Sequence, residues 1–162
     1  AEKMIQTLSG FYRRSLAGDP TGDVALEQEV ALQRLYLEIE AVRFPERLVV
    51  HFDIPEALGE ARVPGMILQP LVENAVKYAV APTARAVTLR ISAREENGML
   101  VLEVRDDGPG KAAGADGGFG IGLANVHDRL AARYGDGASL TAGPAQGGGW
   151  LALIRMPLVA HD

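Results

Sequence analysis

The sequence predicts an α+β sandwich of two layers, a mixed sheet with helices on one face. Three observations carry this. Segments with apolar residues at helical spacing alternate with short strand-like runs. Asn97-Gly98 separates two segments that alternate apolar and polar residues, the signature of a β-hairpin. A second pair of strand-like segments closes the chain across a glycine-rich link.

In "AEKMIQTLSGFYRRSLAG", residues Met4, Ile5, Leu8, Phe11, Tyr12 and Leu16 fall on one helical face, and Gly18-Asp19-Pro20 ends the run. A helix that starts directly at Ala1 reads as part of a longer protein. The next helix is expected from Leu26 to Arg43, with Leu32, Leu35, Tyr36, Ile39 and Val42 as its packing face and Pro45 just beyond it. "RLVVHFDI" has strand composition, and a Pro/Gly-punctuated stretch to Pro64 leads into "LVENAVKYAV".

On that third helix Leu71, Val72, Ala75, Val76 and Ala79 form an apolar arc, Glu73, Asn74 and Lys77 share the opposite flank, and Tyr78 lies at the border. Glu73 and Lys77 have the i,i+4 order of a surface ion pair. Asn74 is not explained that way, because asparagine prefers caps and turns. Pro70 cannot donate to the carbonyl of Met66, so a kink or a late helix start is expected. Then come the hairpin of "AVTLRISARE" and "MLVLEVRD", a glycine-rich segment from Gly108 to Gly122, the helix "IGLANVHDRLAARYG" closed by Gly135, and the strands "ASLTAG" and "WLALIRMPL".

The 162 residues suit one globular domain, and 48% hydrophobic content is enough for a core. With no cysteine, disulfides and thiolate metal sites are excluded, and three scattered histidines do not make a zinc site. A net charge of -5 disfavours a nucleic-acid binder, which would carry a basic stripe. The apolar runs are too short or too interrupted to span a bilayer, so no membrane contact is expected of this segment.

Two further boxes carry chemistry. In "VRDDGPG", directly after a strand, Asp106, Gly108 and Gly110 form D-x-G-x-G: a carboxylate that can accept a hydrogen bond from an amino group, beside backbone that a flat ligand can approach. In "GGFGIGLANV", Gly118, Gly120 and Gly122 open a helix, where N–H groups and the helix dipole favour phosphate. A dinucleotide fingerprint would need a strand immediately before the glycines, but the small-residue loop "KAAGADGG" stands there.

Asn on a helix, D-x-G-x-G after a strand and G-x-G-x-G-L before a helix, in this order, resemble the Bergerat ATP-binding fold. That fold is shared by DNA gyrase, heat-shock chaperones of the ninety-kilodalton class, MutL proteins and histidine kinases. "LEQEVALQRLYLEIEAVRFPERL", "VPGMILQPLVENAVKY" and "GIGLANVHDRLAARYG" look like LytS-type sensor histidine kinases, over nearly the whole chain. The resemblance implies that residues 1–19 are the remnant of a dimerisation helix and residues 20–162 the ATP-binding domain of a kinase.

The resemblance also implies roles. Asn74 would coordinate Mg²⁺ on the ATP phosphates, Lys77 would reach those phosphates, and Tyr78 would line the nucleotide. Asp106 would recognise the adenine amino group, with Gly108 and Gly110 shaping the pocket. Gly118, Gly120, Gly122 and Leu123 would flank the triphosphate within a lid beginning near Lys111. Glu73 would position Mg²⁺ or polarise the attacking histidine. The LytS-type pattern usually has histidine at Tyr78. The family's phosphoacceptor segment is absent: His51, His127 and His161 lack its context and read as surface or packed residues. A response regulator, of LytTR type, would be the partner, and the full-length kinase a membrane-anchored homodimer with this domain in the cytoplasm. An anti-sigma-type serine kinase, or a degenerate nucleotide-binding switch, are the alternatives; residues 1–43 argue against the former.

Overall fold

The computed structural model describes residues 22–110 and 121–159, with the side chain of Ile121 excepted. The helix expected at residues 1–17, the lid start at Lys111, the glycines Gly118 and Gly120, and His161 lie outside the described residues.

Seven strands are described: β1 (Asp23–Ala25), β2 (Leu48–Asp53), β3 (Arg62–Pro64), β4 (Val87–Glu96), β5 (Met99–Asp106), β6 (Ser139–Pro144) and β7 (Trp150–Pro157). The helices are α1 (Leu26–Arg43), α2 (Gln69–Ala75) and α3 (Ile121–Tyr134). Five strands form a mixed sheet in the order β2-β4-β5-β7-β6, with β2 parallel to β4 and the other pairs antiparallel. The parallel pair follows from the crossover through α2, whereas the tight links of β4 to β5 and β6 to β7 allow only antiparallel pairing. In the first hairpin Asn97 and Gly98 have φ of 53° and 79°, the positive pair that a two-residue primed turn needs.

Alternation along the strands builds one buried face. Leu89, Ile91 and Ala93 on β4 pair across with Asp106, Val104 and Leu102 on β5, which pair in turn with Trp150, Ala152 and Ile154 on β7. Of these, Leu89, Ile91, Ala93, Leu102, Val104, Ala152 and Ile154 join Leu71, Val72, Ala75, Leu123, Val126 and Leu130 from the helices in one core. On the other face Arg94 pairs with Glu103 at 3.2 Å and Arg155 with Glu96 at 3.1 Å, a charged surface suited to solvent.

Three details differ from the expectation. β1 and β3 pair antiparallel although neither is visible in the sequence: three residues are too few to show a period of two. α1 has the expected bounds, and of its expected packing face Tyr36 is buried and Leu32 packs against the core, but the buried stripe is turned away from Leu35 and Val42. Val42 is 81% and Leu35 47% exposed, and the buried residues are Leu26, Glu29, Val30, Gln33, Tyr36, Leu37 and Glu40. A polar stripe can be buried there because its members find partners: Glu29 the N–H groups before α2, Gln33 the amide of Gln69, and Glu40 the guanidinium of Arg43.

The third detail is α2. It starts at Gln69, with Pro70 in the first turn, where a missing N–H costs no helical hydrogen bond; this is the late start expected from the sequence. From Val76 to Val80 the chain widens into a π turn, closed by the Ala81 N–H on the Val76 carbonyl at 2.9 Å. Such single π turns inside helices gather at functional sites. Among the described residues no helix is long and apolar enough to cross a membrane.

Candidate functional site

Asp106 ends β5 on the helix-covered face, two residues on from Val104, and is only 4% exposed. Its Oδ1 accepts the Gly108 N–H at 2.9 Å. Burial raises its carboxyl above the ordinary carboxylate range, against the pull of the Gly108 and Trp150 N–H groups; Asp107 adds to the rise and Arg85 opposes it. A carboxylate offers about four acceptor positions, so these partners do not exhaust it.

The glycines around it answer first to the protein's own packing. A Cβ on Gly108 would lie 2.7 Å from the Cβ of Ala79, so only glycine lets this loop lie against the end of α2 and its π turn. Gly110 has φ of 77°, and a Cβ there would be 3.2 Å from the Gly149 carbonyl oxygen. Gly149, last in the link between β6 and β7, would place a Cβ 1.9 Å from the Asp106 oxygen. The closing glycine turn therefore clamps the D-x-G-x-G loop, a role the sequence did not assign to it. Gly122 comes close to Pro70 at the start of α2, and Leu123 is 3% exposed with its side chain in the core.

α2 carries the other group. Glu73 and Lys77 are exposed, and Asn74 and Tyr78 are half-buried. Among the described residues no ion pair joins Glu73 to Lys77. Glu73 accepts the Gln69 Nε2 hydrogen at 2.8 Å, and Lys77 Nζ lies 5.1 Å from the Tyr78 ring centroid. The two side chains thus turn to different neighbours rather than to each other. Gln69 in turn accepts from Gln33 Nε2 at 2.8 Å, so an amide relay from buried Gln33 orients the Glu73 carboxylate.

Glu73 and Lys77 open together into a cavity of about 380 Å³ between α1 and α2, walled also by Tyr36, Glu40 and Phe44. Burial, then Glu40 and Glu73, raise the Tyr36 phenol above its ordinary value. Asn74, Tyr78 and Asp106 do not line this cavity. The structure thus groups Glu73 with Lys77 on α2 and its C-terminal extension, and Asp106 with Gly108, Gly110 and Gly149 at the end of β5. His51 and His127 are exposed, as the sequence suggested.

One buried group sets a pH dependence. Glu29 is fully buried, and desolvation pushes its carboxyl from 4.5 to about 7, against the N–H groups of Leu68 and Met66 and the charge of Arg129. The unfolded chain releases this proton near 4.5 and the folded chain near 7, so between those values the folded state holds more protons. Stability falls as pH rises through that window, by about 3 kcal/mol in all at 1.36 kcal/mol per unit. Denaturant unfolding in pH steps is expected to show this slope in the parent protein and to lose it in Glu29→Gln.

Residues 59–160 match the family described as histidine kinase-, DNA gyrase B-, and HSP90-like ATPase, and residues 1–48 match that described as histidine kinase. The chain is 35% identical over 137 residues to the sensor histidine kinase YesM of Bacillus subtilis, covering 83% of this chain and 24% of that protein. It is 30% identical over 151 residues to the sensor protein LytS of Staphylococcus haemolyticus, covering 86% of this chain and 26% of that protein. The chain thus spans about a quarter of the length of these curated relatives. In fold it is similar to the Acinetobacter baumannii histidine kinase AdeS, with a TM-score of 0.64 at 21% identity over 95% of this chain and 75% of that one. The buried acid at a strand end, the glycine-clamped loop and the asparagine-bearing helix are arranged in the fold these relatives share, and the chain belongs to the histidine kinase-, DNA gyrase B- and HSP90-like ATPase family.

Proposed function

We propose that residues 20–162 are the ATP-binding catalytic domain of a LytS-type sensor histidine kinase, and that residues 1–19 are the end of its dimerisation helix. The observation that carries this reading is Asp106, a nearly buried carboxylate with acceptor capacity to spare beside a loop held against the helix of Asn74. Asp106 accepts a hydrogen bond from the adenine amino group, and Gly108 and Gly110 leave room for the flat base. Tyr78 lines the base, Lys77 meets the phosphates, and Gly118, Gly120, Gly122 and the backbone at Leu123 flank the triphosphate. Glu73, aimed by Gln69, orients the nucleophile.

Asn74 offers a single amide oxygen, and among the described residues no group of three or more acidic or histidine side chains forms a metal cage. That donor set fits Mg²⁺ carried on phosphate oxygens and water. When bound, Mg²⁺ supplies neutralisation of phosphate charge; the work of the chain's own groups is positioning and hydrogen bonding. The bond from the γ-phosphorus to the β-bridging oxygen breaks, and one to a histidine nitrogen outside this chain forms. The phosphoryl group then passes to an aspartate of a response regulator, of LytTR type. The whole kinase acts as a membrane-anchored dimer with this domain in the cytoplasm. The match of residues 1–48 to the histidine kinase family weighs against the serine-kinase alternative.

Calorimetric titration with ATP tests the reading. The expected result is saturable binding strengthened by Mg²⁺, with that gain lost in Asn74→Ala. One charged contact is worth about 1.5–3 kcal/mol, or roughly tenfold or more in Kd. Absence of saturable binding, or an Asn74→Ala variant that keeps the full Mg²⁺ dependence, overturns it.

A further inference from the structure

α1 lays a buried polar stripe along α2: Glu29, Gln33, Tyr36 and Glu40 recur at i, i+4, i+7 and i+11 on one helical face. The first of them acts where α2 begins. The N-cap residue Leu68 has no side chain that can cap, and no other residue of α2 supplies one. Glu29, from a different helix, holds the turn just before it, with Oε1 accepting the Met66 N–H at 3.0 Å and Oε2 the Leu68 N–H at 2.8 Å. Leu68 is the N-cap and Met66 lies two residues before it, so the carboxylate fixes the entry of the chain into α2.

The same turn is held from the third helix. Arg129 on α3 donates to the Gly65 carbonyl at 2.7 Å and is the charged side chain that acts on Glu29 among the described residues. From the turn before α2 only backbone N–H groups of Met66, Ile67 and Leu68 face the carboxylate. Met66 has φ of 61°, a conformation that a side chain rarely adopts and that needs such support. The turn of residues 65–68 is therefore gripped by an anion from α1 and a cation from α3. Downstream of it stand Asn74 and Glu73 on α2, and α3 itself starts directly at the end of the glycine box.

We propose that Glu29 is a positioning residue of the nucleotide site: with Arg129 it fixes the start of α2 against α3, and so the spacing between Asn74 and the glycine box. The proposal rests on the nucleotide-binding reading above. Glu29 touches no substrate and acts through the turn. The ionised carboxylate accepts both N–H groups and attracts Arg129, whereas the protonated acid holds them less firmly. ATP affinity consequently rises as Glu29 ionises.

The test has two readouts. In ligand-free protein, ¹⁵N–¹H spectra recorded from about pH 5 to about pH 9 are expected to show the Met66 and Leu68 amides titrating together near the Glu29 midpoint, and to show no such titration in Glu29→Gln. ATP dissociation constants over the same range are expected to fall about tenfold through that midpoint in the parent protein, a coupling of ordinary size, and to be flat and weak in Glu29→Gln. A merely structural role lowers thermal stability but leaves the two ATP profiles parallel, and parallel profiles overturn the proposal. If ATP does not bind at any pH while the amides still titrate, the nucleotide reading has failed and takes the proposal with it. If Glu29→Gln does not fold, Arg129→Gln at the exposed flank of α3 serves instead. It is expected to raise the amide midpoint and carry the ATP profile with it; an ATP profile that stays in place overturns the proposal.

Discussion

Gly149→Ala is expected to destabilise the domain by more than about 4 kcal/mol, in the range that only severe steric or burial defects reach. The new methyl group would stand 1.9 Å from the Asp106 carbonyl oxygen, 2.8 Å from its carbon and 2.9 Å from the Asp107 Cα. All three are backbone atoms of the sheet and its exit, so no rotamer change relieves the clash. At φ of 82° the left-handed conformation adds about 1–2 kcal/mol for any side chain. Neighbouring Gly147 and Gly148, with φ of 87° and 109°, have nothing within 4 Å of an added Cβ. Gly147→Ala and Gly148→Ala therefore carry the conformational strain alone and serve as controls. Guanidinium denaturation of the three variants separates the two effects, and a Gly149→Ala midpoint equal to those of the controls would show that the contact with Asp106 carries no weight. Because that contact positions the candidate site, any folded Gly149→Ala protein is also expected to lose ATP binding.

The sheet and the helix bounds were legible in the sequence because they rest on local periodicity and turn chemistry. Asn97-Gly98 set the register of β4 on β5, and Pro70 marked where α2 starts. Glycine spacing and Asp106 likewise marked the candidate loop. What periodicity missed depends on partners far along the chain. The buried face of α1 holds Glu29 and Gln33, whose partners lie 36 to 39 residues away, so an apolar count finds Tyr36 and Leu32 but not the polar part of that face. The clamp of Gly149 on Asp106 joins positions that only the β5–β7 pairing brings together. The π turn at Val76 left no trace in a pattern read at a fixed 100° per residue. Of the site, the residue types were readable; their orientation was set by tertiary contacts.

Asp106→Asn is expected to weaken ATP binding by roughly 10- to 100-fold, corresponding to the 1.5–3 kcal/mol of a hydrogen bond to a charged group. The substitution keeps the volume and one acceptor. In the folded protein that acceptor is claimed by the Gly108 N–H, which donates to Oδ1 at 2.9 Å. The amide NH₂ then faces the ligand, and two donors oppose each other where a carboxylate would have accepted from the adenine amino group. Inosine triphosphate, which carries a carbonyl oxygen in place of that amino group, inverts the test. The parent protein is expected to bind it far more weakly than ATP, because carboxylate and carbonyl oxygens repel, whereas Asp106→Asn can donate to the carbonyl and loses the preference. Folding is not the limiting concern, since the new side chain removes a buried acid whose charge is opposed by desolvation. Competition of both nucleotides against a fluorescent ATP analogue gives the ratio directly. A preference for ATP that survives unchanged in Asp106→Asn would remove Asp106 from the base-recognition role.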